Sequence, residues 1–140
     1  NHVIYTQSND ASIKNKGVNE AVSLIIALKQ WNFDPEDIIV KITGRYAVLT
    51  NDFFKLIEQN PDADIFVRAF SDHDIYSGLF AMRYKYFMEV LENIDFDIMA
   101  NRPIAFEHIF GNYVNDVKNK LKIVYLERVY DYLPICQSHR

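Results

Sequence analysis

The sequence has little cysteine and lacks the common signatures of metal-dependent or nucleophilic enzymes. Cys136 is the only cysteine in 140 residues, so the chain cannot form an internal disulfide. A single cysteine favours a reducing compartment, and we expect a cytoplasmic protein. Neither a Cys/His spacing typical of zinc sites nor the serine turn of hydrolases is present.

The chain also lacks a block of basic residues and a long apolar run. Its 15 Lys and Arg are outnumbered by 19 Asp and Glu, giving a net charge of −4. This balance argues against a general nucleic-acid surface. The longest apolar run, near residues 22–28, is much shorter than the about 20 residues that cross a bilayer, so we expect no transmembrane segment.

What the chain does contain is typical of a folded domain. Hydrophobic residues make up 49% of it, and ten Phe and nine Tyr predict an aromatic-rich core or cleft. The length corresponds to one domain over residues 1–140. Because the first residue is not Met, the alternatives are a processed product, a cloned fragment or a piece of a longer chain.

Apolar spacing predicts alternating strands and helices, and therefore an α/β fold with a mostly parallel central sheet flanked by helices. The run at 38–42, which is apolar except for Lys41, predicts a strand buried on both faces. We predict strands at 3–6, 38–42, 64–70, 75–82, 121–126 and 129–136, and helices at 18–28, 52–59, 83–94 and 103–121.

The most informative stretch is the end of the predicted strand at 38–42. It carries Lys41 and runs directly into Thr43-Gly44-Arg45-Tyr46. Ligands of open α/β sheets bind beyond the carboxyl ends of the strands, so a glycine turn with cations suits an anionic small molecule there. The alternative is an ordinary turn with two solvated cations.

A second candidate anion site lies where the first helix begins, at Lys16 and Gly17. Free N–H groups and the helix dipole favour an anion at that point. The alternative is that Asn15 only caps the helix and Lys16 is solvated.

Acidic residues suggest two further roles. Asp72 and Asp74 flank His73 and could direct carboxylate oxygens at one Mg²⁺ or Mn²⁺ ion, although a solvated turn is the alternative. Glu107, early in the last helix, is either a first-turn charge that suits the dipole or a base at a cleft wall.

Four strings together resemble a known group of proteins. They are NKGVNE (15–20), KITGRY (41–46), SGLFAMR (77–83) and FEHI (106–109). The chain from about residue 3 to 126 resembles glycosyltransferase-like proteins found among bacterial surface-polysaccharide genes and in large DNA viruses of algae and amoebae. These look like distant members of the GT-A class, whose α/β fold binds nucleotide sugars.

The resemblance implies a position for the donor. Lys16 and Gly17 would lie near its nucleotide. GT-A enzymes usually hold a divalent metal with Asp-x-Asp, but residues 43–46 occupy that place here. Arg45, helped by Lys41, would then stabilise the diphosphate, as basic side chains do in members that lack the acids.

The resemblance also implies the acceptor side. Gly78 would line the acceptor pocket, and Glu107 would be the base or bind the acceptor, with Asp72 or Asp74 as the alternative base. Asp72 with Asp74 would also be the fallback metal site. The implied function is sugar transfer from a nucleotide-diphosphate sugar to a glycan or lipid-linked acceptor. Tyr46 and Phe80 could stack on the sugar or the base.

Two other functions compete with this one. The missing Asp-x-Asp, and the absence of the strand and helix that hold the nucleoside in GT-A domains, favour a non-catalytic binding or interaction domain on the same scaffold. A nuclease built on the acidic residues is the third hypothesis, and the acidic chain argues against it.

Overall fold

A computed structural model describes residues 12–44, 48, 50–102 and 104–127. The predicted strands at 3–6 and 129–136 lie outside these residues. The described elements are the helices α1 (Lys16–Lys29), α2 (Asp52–Gln59), α3 (Tyr84–Glu92), α4 (Phe96–Asn101) and α5 (Phe106–Val117), and the strands β1 (Ile38–Ile42), β2 (Ile65–Val67), β3 (Ala69–Ser71), β4 (Asp74–Ile75), β5 (Leu79–Arg83) and β6 (Ile123–Tyr125).

The predicted α/β class is confirmed, but the mostly parallel sheet is wrong. The strand order in the main sheet is β1-β5-β2-β6. Among the described strands of this sheet, β5 pairs antiparallel with both β1 and β2, and only β2 and β6 pair in parallel. The small hairpin β3–β4, and no helix, separates β2 from β5. Parallel pairing needs a longer crossover, so β5 returns in the opposite direction.

The main sheet carries apolar side chains on both faces. On one face Phe80 and Met82 pack into the larger core cluster with residues of α1, α3 and α5. On the other face Leu79 and Ala81 pack with Phe53 of α2. Alternate residues of β5 therefore point to opposite faces, as the strand period requires.

Phenylalanine rings form part of the core, which is one of the two alternatives predicted for the aromatic residues. Phe80 is fully buried, with ring centroids 5.6 Å from Phe87 and 5.2 Å from Phe110, and Phe106 lies 4.6 Å from Phe110. The prediction that Phe80 stacks on a ligand is therefore wrong, because these rings cover it completely.

The start of α5 differs from the prediction. The helix predicted at 103–121 begins at Phe106 behind Ala105, and Asn101 is the last residue of α4. The segment that precedes α5 contains α4. The N-cap residue of α4, Asp95, accepts a hydrogen bond from the Ile98 N–H at 3.0 Å. Pro103 lies outside the described residues.

Two contacts fix α5 against its neighbours. A Cβ at Gly111 would lie 2.5 Å from the backbone nitrogen of Asp74, so only glycine permits the close approach of the β3–β4 turn. The Tyr113 hydroxyl donates to Glu89 of α3 at 2.6 Å. Burial, and then this hydrogen bond, raise the pKa of Tyr113 well above its ordinary value of 10.

Candidate functional site

A cleft of about 590 Å³ lies at the carboxyl end of β1. Four separate segments form its walls: the start of α1, the turn after β1, the turn before β5 and the start of α5. The predicted site residues in its lining are Lys16, Gly17, Thr43, Gly44 and Glu107. The structure adds Asn15, Glu20, Ser77, Ala105 and Phe106 to that lining.

Three other predicted site residues are not in the described lining of the cleft. Arg45 and Tyr46 lie outside the described residues, so their roles stay predictions. Gly78 lies beside the cleft, where its carbonyl accepts a hydrogen bond from the Thr43 N–H at 2.9 Å. This bond joins the turn after β1 to the turn before β5, which are two walls of the cleft.

Lys41 lies beneath the cleft. It is the one buried residue of β1, with 8% of its surface exposed. Its ammonium is 2.6 Å from Glu20 Oε1 and donates to the Ser77 carbonyl at 2.7 Å and to Thr43 Oγ1 at 3.1 Å. The ammonium also lies 5.5 Å from the centre of the Phe106 ring. Lys41 therefore faces the cleft residues, and Glu20 balances its charge.

Glu107 is held at the opposite wall by Ser77. The Ser77 hydroxyl donates to Glu107 Oε1 at 2.6 Å, while the Ser77 carbonyl accepts from Lys41. One residue thus connects the candidate base to the buried cation. Glu107 is half-buried, so its carboxylate is positioned but open to the cleft.

Asn15 joins the start of α1 to the segment before α5. Its Nδ2 donates to the carbonyls of Met99 at 2.7 Å and Ile104 at 2.9 Å, and its Oδ1 accepts from the Gly17 N–H at 2.9 Å. The Val18 N–H donates to the Asn15 carbonyl at 3.1 Å. The capping role of Asn15 is thus confirmed, and it occupies N–H groups that an anion would otherwise use.

Asp72 and Asp74, in the β3–β4 hairpin, are not among the described residues that line the cleft. Asp74 Oδ1 lies 4.0 Å from His108 Nε2, and His73 Nδ1 lies 2.6 Å from Asn112 Oδ1. Asp72 lines a separate cavity beside β3 and α5. Among the described residues no group of three or more His, Cys, Asp or Glu could hold a metal ion, so the Asp72/Asp74 metal site stays a prediction.

Sequence reasoning missed two polar side chains of the site. Glu20 lies four residues after Lys16 on α1, and this helical spacing indicates that both side chains share a face. Ser77 carries no comparable signal, because its contacts with Lys41 and Glu107 span 36 and 30 residues of sequence.

None of the helices in the described part of the chain has the length and apolar character needed to cross a bilayer. Comparison of the chain with protein-family models, with curated proteins and with solved structures yields no match in any of the three.

Proposed function

We propose that this protein is a glycosyltransferase with a GT-A-like fold, moving a sugar from a nucleotide-diphosphate sugar to a glycan or lipid-linked acceptor. The observation that supports this most is the cleft at the end of β1. It gathers residues of all four strings on which the resemblance rests, although these strings are distant in sequence. A concave site with a few convergent polar groups is what a small-molecule enzyme needs.

The chemistry divides between the two sides of the cleft. Glu107 accepts the proton of the acceptor hydroxyl, whose oxygen attacks the anomeric carbon with inversion. The bond from that carbon to the diphosphate oxygen breaks, and the electron pair leaves with the nucleotide diphosphate. Lys16 and Arg45 stabilise the charge that develops on the leaving oxygen. Lys41 has a different role, because Glu20 already neutralises it: it supports the turn that carries Thr43.

The described side chains do not form a site for a metal ion that would bind the donor diphosphate. Asp72 and Asp74 are outside the lining of the cleft, and among the described residues no three His, Cys, Asp or Glu form a group that could hold a metal ion. We therefore assign diphosphate stabilisation to the basic side chains and no step to Mg²⁺ or Mn²⁺. Activity that is lost in a strong chelator and restored by Mn²⁺ would contradict this assignment.

The test is sugar transfer or donor hydrolysis measured across a panel of nucleotide-diphosphate sugars. Glu107→Gln should reduce turnover by about a hundredfold or more while leaving donor binding intact. Glu58→Gln, an exposed substitution of the same chemistry on α2, is the matched control. Arg45→Ala should abolish donor turnover in a protein that remains folded. Full turnover in the Glu107 and Arg45 variants would remove both assignments.

One observation favours the second candidate, a non-catalytic binding domain. Lys41 is paired with Glu20, and Glu107 is hydrogen-bonded to Ser77, so the two acids of the cleft already have partners. A thermal-shift scan distinguishes the two functions, since a donor that binds the folded state raises the melting temperature by mass action. No shift with any nucleotide diphosphate or its sugars would favour the binding domain.

A further inference from the structure

A second cavity lies next to the cleft. It has a volume of about 430 Å³ and shares Asn15, Lys16 and Ala105 with the cleft lining. Its other walls come from the end of α4 and the segment that leads into α5, including Arg102, and from Lys14 before α1. The two cavities are therefore neighbours across the start of α1.

The charges of the two cavities differ. The cleft lining contains Lys16 together with the acids Glu20 and Glu107. The described residues that line the second cavity include the three cations Lys14, Lys16 and Arg102 and no acid. Within the described part of the chain, none of these cations is in an ion pair.

The cations are carried on a positioned scaffold. The Asn15 amide lies between the two basic walls, with Nδ2 donating to the Ile104 carbonyl at 2.9 Å and lying 3.5 Å from the Arg102 carbonyl. The backbone that carries Lys14 and Lys16 is therefore tied to the backbone that carries Arg102. The three side chains are exposed, and an anionic ligand in the cavity would be attracted by all three.

We propose that this second cavity is a binding site for a diphosphate-type group, with Arg102 contacting two phosphate oxygens and the two lysines supplying point charges. A diphosphate carries several negative charges, so its charge matches three cations better than the single charge of a carboxylate does. Its source could be a soluble diphosphate or the phosphate headgroup of a lipid, and both share this chemistry. The site goes beyond the proposed function, because it requires anion binding whether or not a sugar is transferred.

Isothermal titration with inorganic pyrophosphate tests the site directly. The double variant Lys14→Gln/Arg102→Gln should bind about tenfold more weakly than the parent, since two charge-assisted contacts are lost at exposed positions. The control Lys55→Gln/Lys120→Gln removes two positive charges from exposed positions outside both linings and should bind as the parent does. Equal affinity of the double variant and this control would overturn the proposal.

Vesicle sedimentation distinguishes the two sources. Phosphatidylcholine vesicles with and without phosphatidic acid are compared, using the same variants. Retention only by the phosphatidic-acid vesicles, reduced in Lys14→Gln/Arg102→Gln, identifies a lipid phosphate. Pyrophosphate binding that the same double variant weakens, without vesicle retention, identifies a soluble ligand. Absence of binding to both probes would refute the site. The proposed function also allows pyrophosphate to bind in the cleft through Arg45, and that binding would persist in Lys14→Gln/Arg102→Gln, so failure of the transferase assignment would not be mistaken for failure of this one.

Discussion

Replacing Glu20 by Gln should destabilise the protein far more than an ordinary half-exposed substitution, because it leaves the Lys41 ammonium buried without its counter-charge. The Lys41 side chain is 7% exposed and that of Glu20 is 36% exposed, with 2.6 Å between Nζ and Oε1. Three neutral acceptors would remain: the Ser77 carbonyl, Thr43 Oγ1 and the amide oxygen that replaces the carboxylate. They solvate an ammonium but do not neutralise it.

The magnitude follows from the geometry. At 2.6 Å and an effective dielectric constant of about 20, the attraction between the two charges is about 6 kcal/mol. Desolvation of the pair offsets several kcal/mol of this. Because water reaches Glu20 and the remaining acceptors, we expect Glu20→Gln to lower the free energy of unfolding by about 2 kcal/mol. Lys41→Met should cost only about 1 kcal/mol, since it removes the buried charge itself.

Urea unfolding of the parent, Glu20→Gln, Lys41→Met and the double variant forms a double-mutant cycle. The double variant should be about as stable as Lys41→Met alone, giving a coupling energy of about 2 kcal/mol. Glu58→Gln, on exposed α2 surface, controls for the loss of one carboxylate. A coupling energy below about 0.5 kcal/mol would show that the ion pair does not hold the floor of the cleft.

Three further predictions concern the supports of the cleft and of α5. Gly111→Ala should destabilise the fold by about 2 kcal/mol or more, because the added methyl group meets backbone that cannot move aside easily. Urea unfolding measures this loss, and an unchanged midpoint would refute the close packing. Asn15→Asp should lower the melting temperature, because a carboxylate would replace the amide donor facing two carbonyls, whereas Asn112→Asp, an exposed change of the same kind, should not. The raised pKa of Tyr113 means that the folded state retains a proton which the unfolded state releases, so its contribution is present below about pH 10 and is lost as the pH rises further. Urea unfolding at pH 8 to 11 should therefore show a steeper loss of stability in the parent than in Tyr113→Phe, and parallel profiles would contradict the shift.

Local patterns were enough to predict most helices and the key strand. The helical spacing around residues 18–28 corresponds to α1, and the run at 38–42 corresponds to β1. The position of Thr43 and Gly44 beyond a strand end also follows from sequence, since those residues directly continue β1. Their proximity to Lys16 and Glu107 was inferred only through the family resemblance.

The contacts that give the site its character are of a different kind. Lys41 reads in sequence as a cation that interrupts an apolar strand, and nothing local shows that Glu20 lies 2.6 Å from it. From the sequence alone, the Phe80 ring could equally face a ligand. In the structure, the packing of the helices buries it completely. Both outcomes depend on which faces of β1 and β5 pack against α1 and α5. The alternation of residues along a strand does not specify this.

The sequence by itself determined α1, α2, β1 and the turn that ends β1, because each depends on neighbours within a few residues. Only the tertiary structure decided the direction of β5, the pairing of Lys41 with Glu20 and the joining of Lys14, Lys16 and Arg102 around one cavity. Those features depend on contacts between distant segments, such as the 89 residues that separate Asn15 from Ile104. Chain connection and packing, which no short window of sequence contains, select among the arrangements that the local pattern permits.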